Sequence, residues 1–213
     1  MEKLSSIYPV AIEGKFARLR EFASNDAEAL VTCSQDQAVA RFMRWAPQTP
    51  DEAHMLVERS SADARKVPRT RYHLAGVDLE SGELFAIIRL TVTSRENGRV
   101  RISMGVRPDL RGEGRAPAIW TDILAFVFEQ LGAHRLYALI HEENRRSRRF
   151  AEKMDLTFEG KPASISSRTA CGRTCCSIRR CGVSGRQCAR SVPDARRRTG
   201  YWPSAETSPG LCR

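Results

Sequence analysis

Between residues 106 and 116 the chain passes from an alternating apolar segment, through a short glycine-containing stretch, into a segment with helical periodicity. The run reads Val106-Arg107-Pro108-Asp109-Leu110-Arg111-Gly112-Glu113-Gly114-Arg115-Ala116. A buried strand that turns through glycines into a helix aims loop amides and free helix N–H groups at one point. The helix dipole adds positive potential there. Such a corner suits a phosphate or pyrophosphate. It is neither a Walker loop, having no Gly-Lys-Ser/Thr, nor a Gly-x-Gly-x-x-Gly fingerprint. The plainer alternative is a β-to-α connection whose glycines only keep it tight.

The segments around this corner fit a mixed α/β (α+β) domain. Ala17-Arg18-Leu19-Arg20-Glu21 alternates as a short strand, and Ser24-Asn25-Asp26 caps a helix running toward Cys33. A helical piece covers 37–42, and Thr49-Pro50-Asp51-Glu52 opens another helix with a capping box, carrying Ala53, Met55, Leu56 and Ala62 inward. Strands at 72–78 and 84–93 are joined by the turn Glu80-Ser81-Gly82-Glu83. Val100, Ile102, Met104 and Val106 alternate as the next strand. Ile119, Ile123, Val127 and Leu131 then recur every fourth residue on one helix face, ended by Gly132. A strand at 135–140, a helix at 144–154 and a strand beginning at Thr157 complete the order β-α-α-β-β-β-α-β-α-β.

After Gly160 the composition changes. Residues 161–213 hold 11 basic and 2 acidic side chains, so nearly all of the chain's net +10 lies there and residues 1–160 are close to neutral. The high basicity therefore says nothing about what the domain binds. Six of the seven cysteines also fall in this tail, at irregular spacings and with no histidine after His141, so neither zinc nor a disulfide framework is expected. Its apolar residues are scattered singles, the pattern of a segment too poor in burial to order itself. An Arg/Ser/Cys-rich, Lys-poor stretch is what an out-of-frame reading of a GC-rich gene gives. The rival, an Arg-rich arm for RNA, has the charge but only Tyr201 and Trp202 to stack on bases. With no secretory signal and no apolar run of about 18 residues, a cytoplasmic protein is expected.

Arg111-x-x-Gly114-x-Ala116 resembles the Arg/Gln-x-x-Gly-x-Gly/Ala motif of the GNAT acetyltransferase superfamily. Ile140-His141-Glu142-Glu143-Asn144 through Ser147 to Glu152-Lys153 resembles its second half. Ala17-Arg18-Leu19-Arg20 and Val39-Ala40-Arg41-Phe42 are similar to the branch that acetylates ribosomal-protein N-termini and small amines. The resemblance implies a mostly antiparallel mixed sheet flanked by helices, acetyl-CoA as co-substrate and an amine acceptor. It implies that the amides of Arg111, Gly112, Glu113, Gly114, Arg115 and Ala116 hold the pyrophosphate. Main-chain groups of Met104 and Val106 would orient the pantetheine and thioester, and Asn144 and Ser147 would hold the pantetheine arm.

The sequence departs from that family in three places. The tyrosine that many members use to protonate the departing thiolate falls at Ala151, beside Phe150, which leaves Ser147 as a weak donor. No carboxylate stands on the strand at 99–106, so Glu83, His73, Asp109 and His141 are the remaining titratable groups and the base is unassigned. The corner before the last strand is Met154-Asp155-Leu156, where Asp155 must tolerate positive φ. The family needs a sixth and a seventh strand. The expectation is that nothing after Gly160 supplies the last, leaving an incomplete acceptor half and an open sheet edge where a second copy could pair. Two other readings follow: a remnant that binds CoA without turnover, and nucleic-acid binding through the tail.

Overall fold

The computed structural model describes residues 4–111, 114–160 and 173–179. The chain opens with two short antiparallel strands, β1 (Ala11–Glu13) and β2 (Ala17–Glu21), the first of which carries too few residues to show a period. A 3-10 turn leads into helices α1 (Ala27–Ser34), α2 (Gln37–Phe42) and α3 (Pro50–Ala64). The meander β3 (Arg71–Asp78), β4 (Leu84–Ser94) and β5 (Arg99–Val106) follows. Then come helix α4 (Arg115–Ala125), strand β6 (Arg135–His141), helix α5 (Arg145–Lys153), and strands β7 (Thr157–Gly160) and β8 (Arg173–Arg179). The strands form one sheet in the order β1-β2-β3-β4-β5-β6-β8-β7, and β5–β6 is its parallel pair.

Local chemistry accounts for most boundaries. Thr49 Oγ accepts the Glu52 amide at 3.2 Å, while the Glu52 carboxylate reaches the Gln48 amide at 2.7 Å, one residue earlier than a capping box predicts. Asp26 accepts the Ala23 amide and pairs with Arg20, tying the entry of α1 to β2. α4 carries on through a π turn over Phe126–Gln130, and Gly132 closes it at positive φ. Asp155 takes the left-handed corner at φ 55°.

The sheet is covered on both faces. On one, Ile119, Ile123, Val127 and Leu131 of α4 and its extension are each at most 1% exposed against Leu19, Tyr72, Leu74, Phe85 and Leu90. On the other, α1, α2 and α3 pack through Leu30, Val39, Ala53 and Val57 onto Ala75 and Ile87. In α3 the expectation of inward Met55 and Ala62 is corrected: both are exposed, and the buried stripe is Ala53, Val57, Ser60 and Ala64.

The expected loss of a final strand is also corrected. β8 comes from the tail, lies antiparallel between β6 and β7, and pairs with β6 along its whole length, from Arg135↔Arg179 to His141↔Arg173. Cys176 is fully buried in the main core, and Ser177 Oγ donates to the Glu159 carboxylate at 2.5 Å. The segment TCCSI is short and mixed in polarity, so its own pattern does not announce a strand; two waiting strand edges supply its partners. The other tail residues, with Cys171, Cys181, Cys188 and Cys212, lie outside the described residues.

Candidate active site

β5 and β6 pair only from Arg99↔Arg135 to Ile102↔Ala138. Beyond that point the two parallel strands part, and a cleft of about 600 Å³ opens between Ser103–Val106 and Leu139–His141. The first turn of α4 forms one end and α5 one side, while Val39, Phe42 and Met43 close it from above. The Arg107 amide bonds the Phe85 carbonyl in β4 at 2.8 Å. By the alternation of an antiparallel ladder, the main-chain groups of Met104 and Val106 therefore face away from β4, into the gap.

Of the residues expected here, Met104, Val106, Arg111, Gly114, Ala116, Asn144 and Ser147 border the cleft together. Gly112 and Glu113 lie outside the described residues. Gly114 is the N-cap of α4 at φ 80°, and a Cβ there would meet nothing within 4 Å, so the backbone lies open to the cleft. No side chain caps the helix, Pro117 has no N–H, and the first-turn amides of any α-helix lie beyond the reach of its own i−4 carbonyls. The Arg111 amide closes the preceding turn onto Pro108 O at 3.3 Å. Its guanidinium bonds the Val106 carbonyl at 2.8 Å and the Asp36 carboxylate at 3.0 Å. The Arg115 guanidinium pairs with Asp78 and packs over the Phe85 ring, and Arg115, unlike its neighbours Gly114 and Ala116, does not line the cleft.

Asn144 Oδ1 accepts the Ser147 amide at 3.0 Å, capping α5 while the residue borders the cleft. Capping α5 and contacting a ligand in the cleft are compatible in this geometry. Ala151 stands at the cleft where a tyrosine would be, and Phe150 beside it packs edge-on against Trp120 with ring centroids 6.0 Å apart. Trp120 is a cleft residue that sequence reasoning missed. It is 5% exposed and its indole N–H has no hydrogen-bond partner among the described residues. On the α4 face its apolar period reads only as core, and an orphaned donor is visible only in three dimensions.

The titratable groups separate. Glu83 and Asp109 are exposed and pair with Arg107, at 3.1 and 2.7 Å. The Arg107 guanidinium holds the Asp109 carboxyl below its usual range. His73 lies on β3, outside the cleft lining, between Phe22 and Trp45. Burial, and then the charge of Arg89, pulls its imidazole down to about 4. His141 borders the cleft, packed on Phe42 with centroids 5.3 Å apart. Its Nδ1 accepts the Glu143 amide at 3.3 Å, which leaves the proton of the neutral ring on Nε2.

A ligand that joins a phosphate group to an extended, hydrogen-bonding arm suits these features: a glycine-led helix start, a parted strand pair and a buried indole donor beside it. Residues 17–157 match the sequence profile of the acetyltransferase (GNAT) domain. An uncharacterised N-acetyltransferase of Bacillus subtilis, YoaA, is 23% identical over 143 residues, covering 67% of this chain and 80% of its own. Among solved structures, RimJ of Mycobacterium smegmatis in complex with CoA-disulfide superposes with a TM-score of 0.68 at 17% identity, over 85% of this chain and 93% of its own. A putative ribosomal-protein-serine acetyltransferase of Vibrio cholerae gives a TM-score of 0.68 at 17% identity, covering 80% and 97%. Helix-start loop, parted strands and sequence profile agree, and the chain belongs to the GNAT acetyltransferase domain family.

Proposed function

We propose that this protein is an acetyl-CoA-dependent N-acetyltransferase whose acceptor is a primary amine. The observation that carries the reading is the parting of β5 from β6 directly above the uncapped, glycine-led start of α4. Acetyl-CoA would supply the acyl group as a thioester: the acceptor nitrogen bonds the carbonyl carbon as the C–S bond breaks, one amine proton is released, and the sulfur leaves as CoA thiol.

The chain's own groups divide the work. The Gly114 backbone and the amides of Arg115 and Ala116 hold the diphosphate, with the helix dipole behind them. Met104 and Val106 lend main-chain N–H groups, the Val106 carbonyl being taken by Arg111. An N–H aimed at the carbonyl oxygen stabilises charge as it develops there. The Asn144 amide hydrogens and the Trp120 indole N–H serve the pantetheine arm, and Ser147 supports Asn144. His141 borders the cleft, and its Nε2–H would hydrogen-bond the sulfur as the C–S bond breaks, while the proton that completes the thiol comes from the acceptor amine.

Calorimetric titration with acetyl-CoA tests the reading. Micromolar binding by the wild type that is lost in Gly114→Asp is expected, because the aspartate puts a side chain and a negative charge where the diphosphate lies. A folded wild-type protein that binds no acetyl-CoA would overturn it.

A further inference from the structure

Beside the cleft, on the sheet face under α1–α3, two rows of side chains cross the strands in register. His73, Arg89 and Ser103 make one row; Arg71, Thr91, Arg101 and Tyr137 make the next. Trp45 lies across the first row. Its indole N–H donates to Ser103 Oγ at 3.0 Å, and its ring sits 4.7 Å from the Arg89 guanidinium and 5.7 Å from the His73 ring.

The charge here is unbalanced. Arg89 and Arg101 are both half-buried, and neither has a carboxylate partner among the described residues. Arg71 has Asp63 at 3.5 Å, a carboxylate it shares with Lys66. Burial, and then the repulsion of Arg101 and Arg71, lowers Arg89 to about 10, still a cation at neutral pH. His73 is 6% exposed, and its Nδ1 has no hydrogen-bond partner among the described residues. Half-buried guanidiniums that repel one another, next to an unsatisfied ring nitrogen, are costly in an empty protein. An oxyanion between the guanidiniums would offset their repulsion through charge-assisted hydrogen bonds, and would accept from His73 Nδ1 in the tautomer that carries the proton there. Ser103 belongs to this row and also lines the cleft, so an anion held at Arg89 lies one strand away from the main-chain groups of β5.

The geometry points to an acceptor that carries its own anionic group: an amine with a carboxylate or phosphate on the same molecule, the anion held by Arg89 and Arg101 and the amine directed past Ser103 into the cleft. The inference rests on the acetyl-transfer reading above and deepens it by assigning the acceptor class. Di- and polyamines are disfavoured, because their second ammonium would sit among guanidiniums. The same guanidiniums lower the pKa of the acceptor ammonium and so favour the neutral, nucleophilic amine in a site without an obvious base.

The test is a free-thiol assay with matched acceptors: β-alanine against β-alaninamide, γ-aminobutyrate against putrescine, and O-phosphoethanolamine against ethanolamine. A charged hydrogen bond corresponds to a preference of about tenfold or more in kcat/KM for the anionic member of a pair. Whether the carboxylates or the phosphate gives the larger ratio identifies the anion. Arg89→Gln and Arg101→Gln should each remove the preference, Arg89→Lys should keep part of it, and calorimetry should show acetyl-CoA still bound in all three. Equal use of both members of every pair, or a preference that survives both Gln variants, would overturn the anion site and leave acetyl transfer standing. If no amine releases thiol, titration of the CoA-bound protein with β-alanine, γ-aminobutyrate and O-phosphoethanolamine decides. Binding of one of them that is lost in the Gln variants keeps the anion site while acetyl transfer falls; binding of none overturns both.

Discussion

The Asp36 carboxylate holds two parts of the molecule together: Oδ1 accepts the Val39 amide at 3.0 Å and caps α2, while Oδ2 lies 3.0 Å from the Arg111 guanidinium. Arg111 in turn bonds the Val106 carbonyl, so one chain of contacts runs from the helix above the cleft to the strand beneath it. Asp36→Ala should remove a cap and a partly buried ion pair, costing about 1–2 kcal/mol. Acetyl-CoA affinity should fall by about tenfold, the worth of a charged hydrogen bond. Urea unfolding and calorimetry measure the two effects separately. An unchanged affinity in the destabilised variant would limit the pair to a structural role.

Trp120 separates packing from hydrogen bonding. Trp120→Phe keeps an aromatic ring against Phe150 and removes the orphaned N–H. Stability should hold or rise, since an unsatisfied buried donor is lost. Acetyl-CoA should bind about fivefold more weakly if the indole donates to it, one neutral hydrogen bond's worth. Lower stability with unchanged affinity would contradict the role given to the indole.

His73 makes stability depend on pH. Its pKa of about 4 in the fold lies below the ordinary 6.5, so the unfolded chain binds more protons between those values. The stability it permits is complete above pH 6.5 and is lost as the pH falls toward 4. Over that window the loss approaches about 3 kcal/mol, at 1.36 kcal/mol per pKa unit. Urea midpoints between pH 7 and pH 4.5 should fall, and His73→Phe should flatten that part of the slope. An unchanged slope in the variant would mean that other groups carry it.

The strand drawn from the tail can be tested at Cys176, which is fully buried. Cys176→Asp forces an unpaired carboxylate into the core and should cost more than about 3 kcal/mol. A substitution without effect would mean that β8 contributes nothing to the stability of the sheet.

Gly76 is glycine because α4 comes close: a Cβ there would lie 2.8 Å from Ile119 Cδ1 and 2.9 Å from Ala86 Cβ. Gly76→Val should cost about 1–3 kcal/mol through overpacking. Thermal unfolding measures it, and a neutral result would show that the helix can move aside freely.

Much of the site was legible in the chain, because the features that betray it are local. The cap at Thr49, the four-residue period of α4 and the turn through Gly114 each follow from residues near one another in sequence. The glycine-led helix start is the same kind of property, since a helix start and its glycine are neighbours along the backbone. The cap that Asn144 makes with Ser147, three residues on at the start of α5, is local in the same way. Trp120, Asp36 and the pairing of Arg89 with Ser103 were not, since each depends on what another segment places opposite it.

By itself, then, the sequence determined the order of most helices and strands between Ala17 and Thr157, and which corner turns through glycine into a helix start, because backbone conformation and capping are set within a few residues. The tertiary structure alone decided that β5 and β6 part after Ile102, that TCCSI fills the edge of β6, and that Arg89 and Arg101 stand on one face with no carboxylate paired to either among the described residues. Those outcomes depend on strand register and on long-range partners. A segment as weakly patterned as β8 becomes a strand only when two open edges offer it hydrogen bonds that water would otherwise have to satisfy.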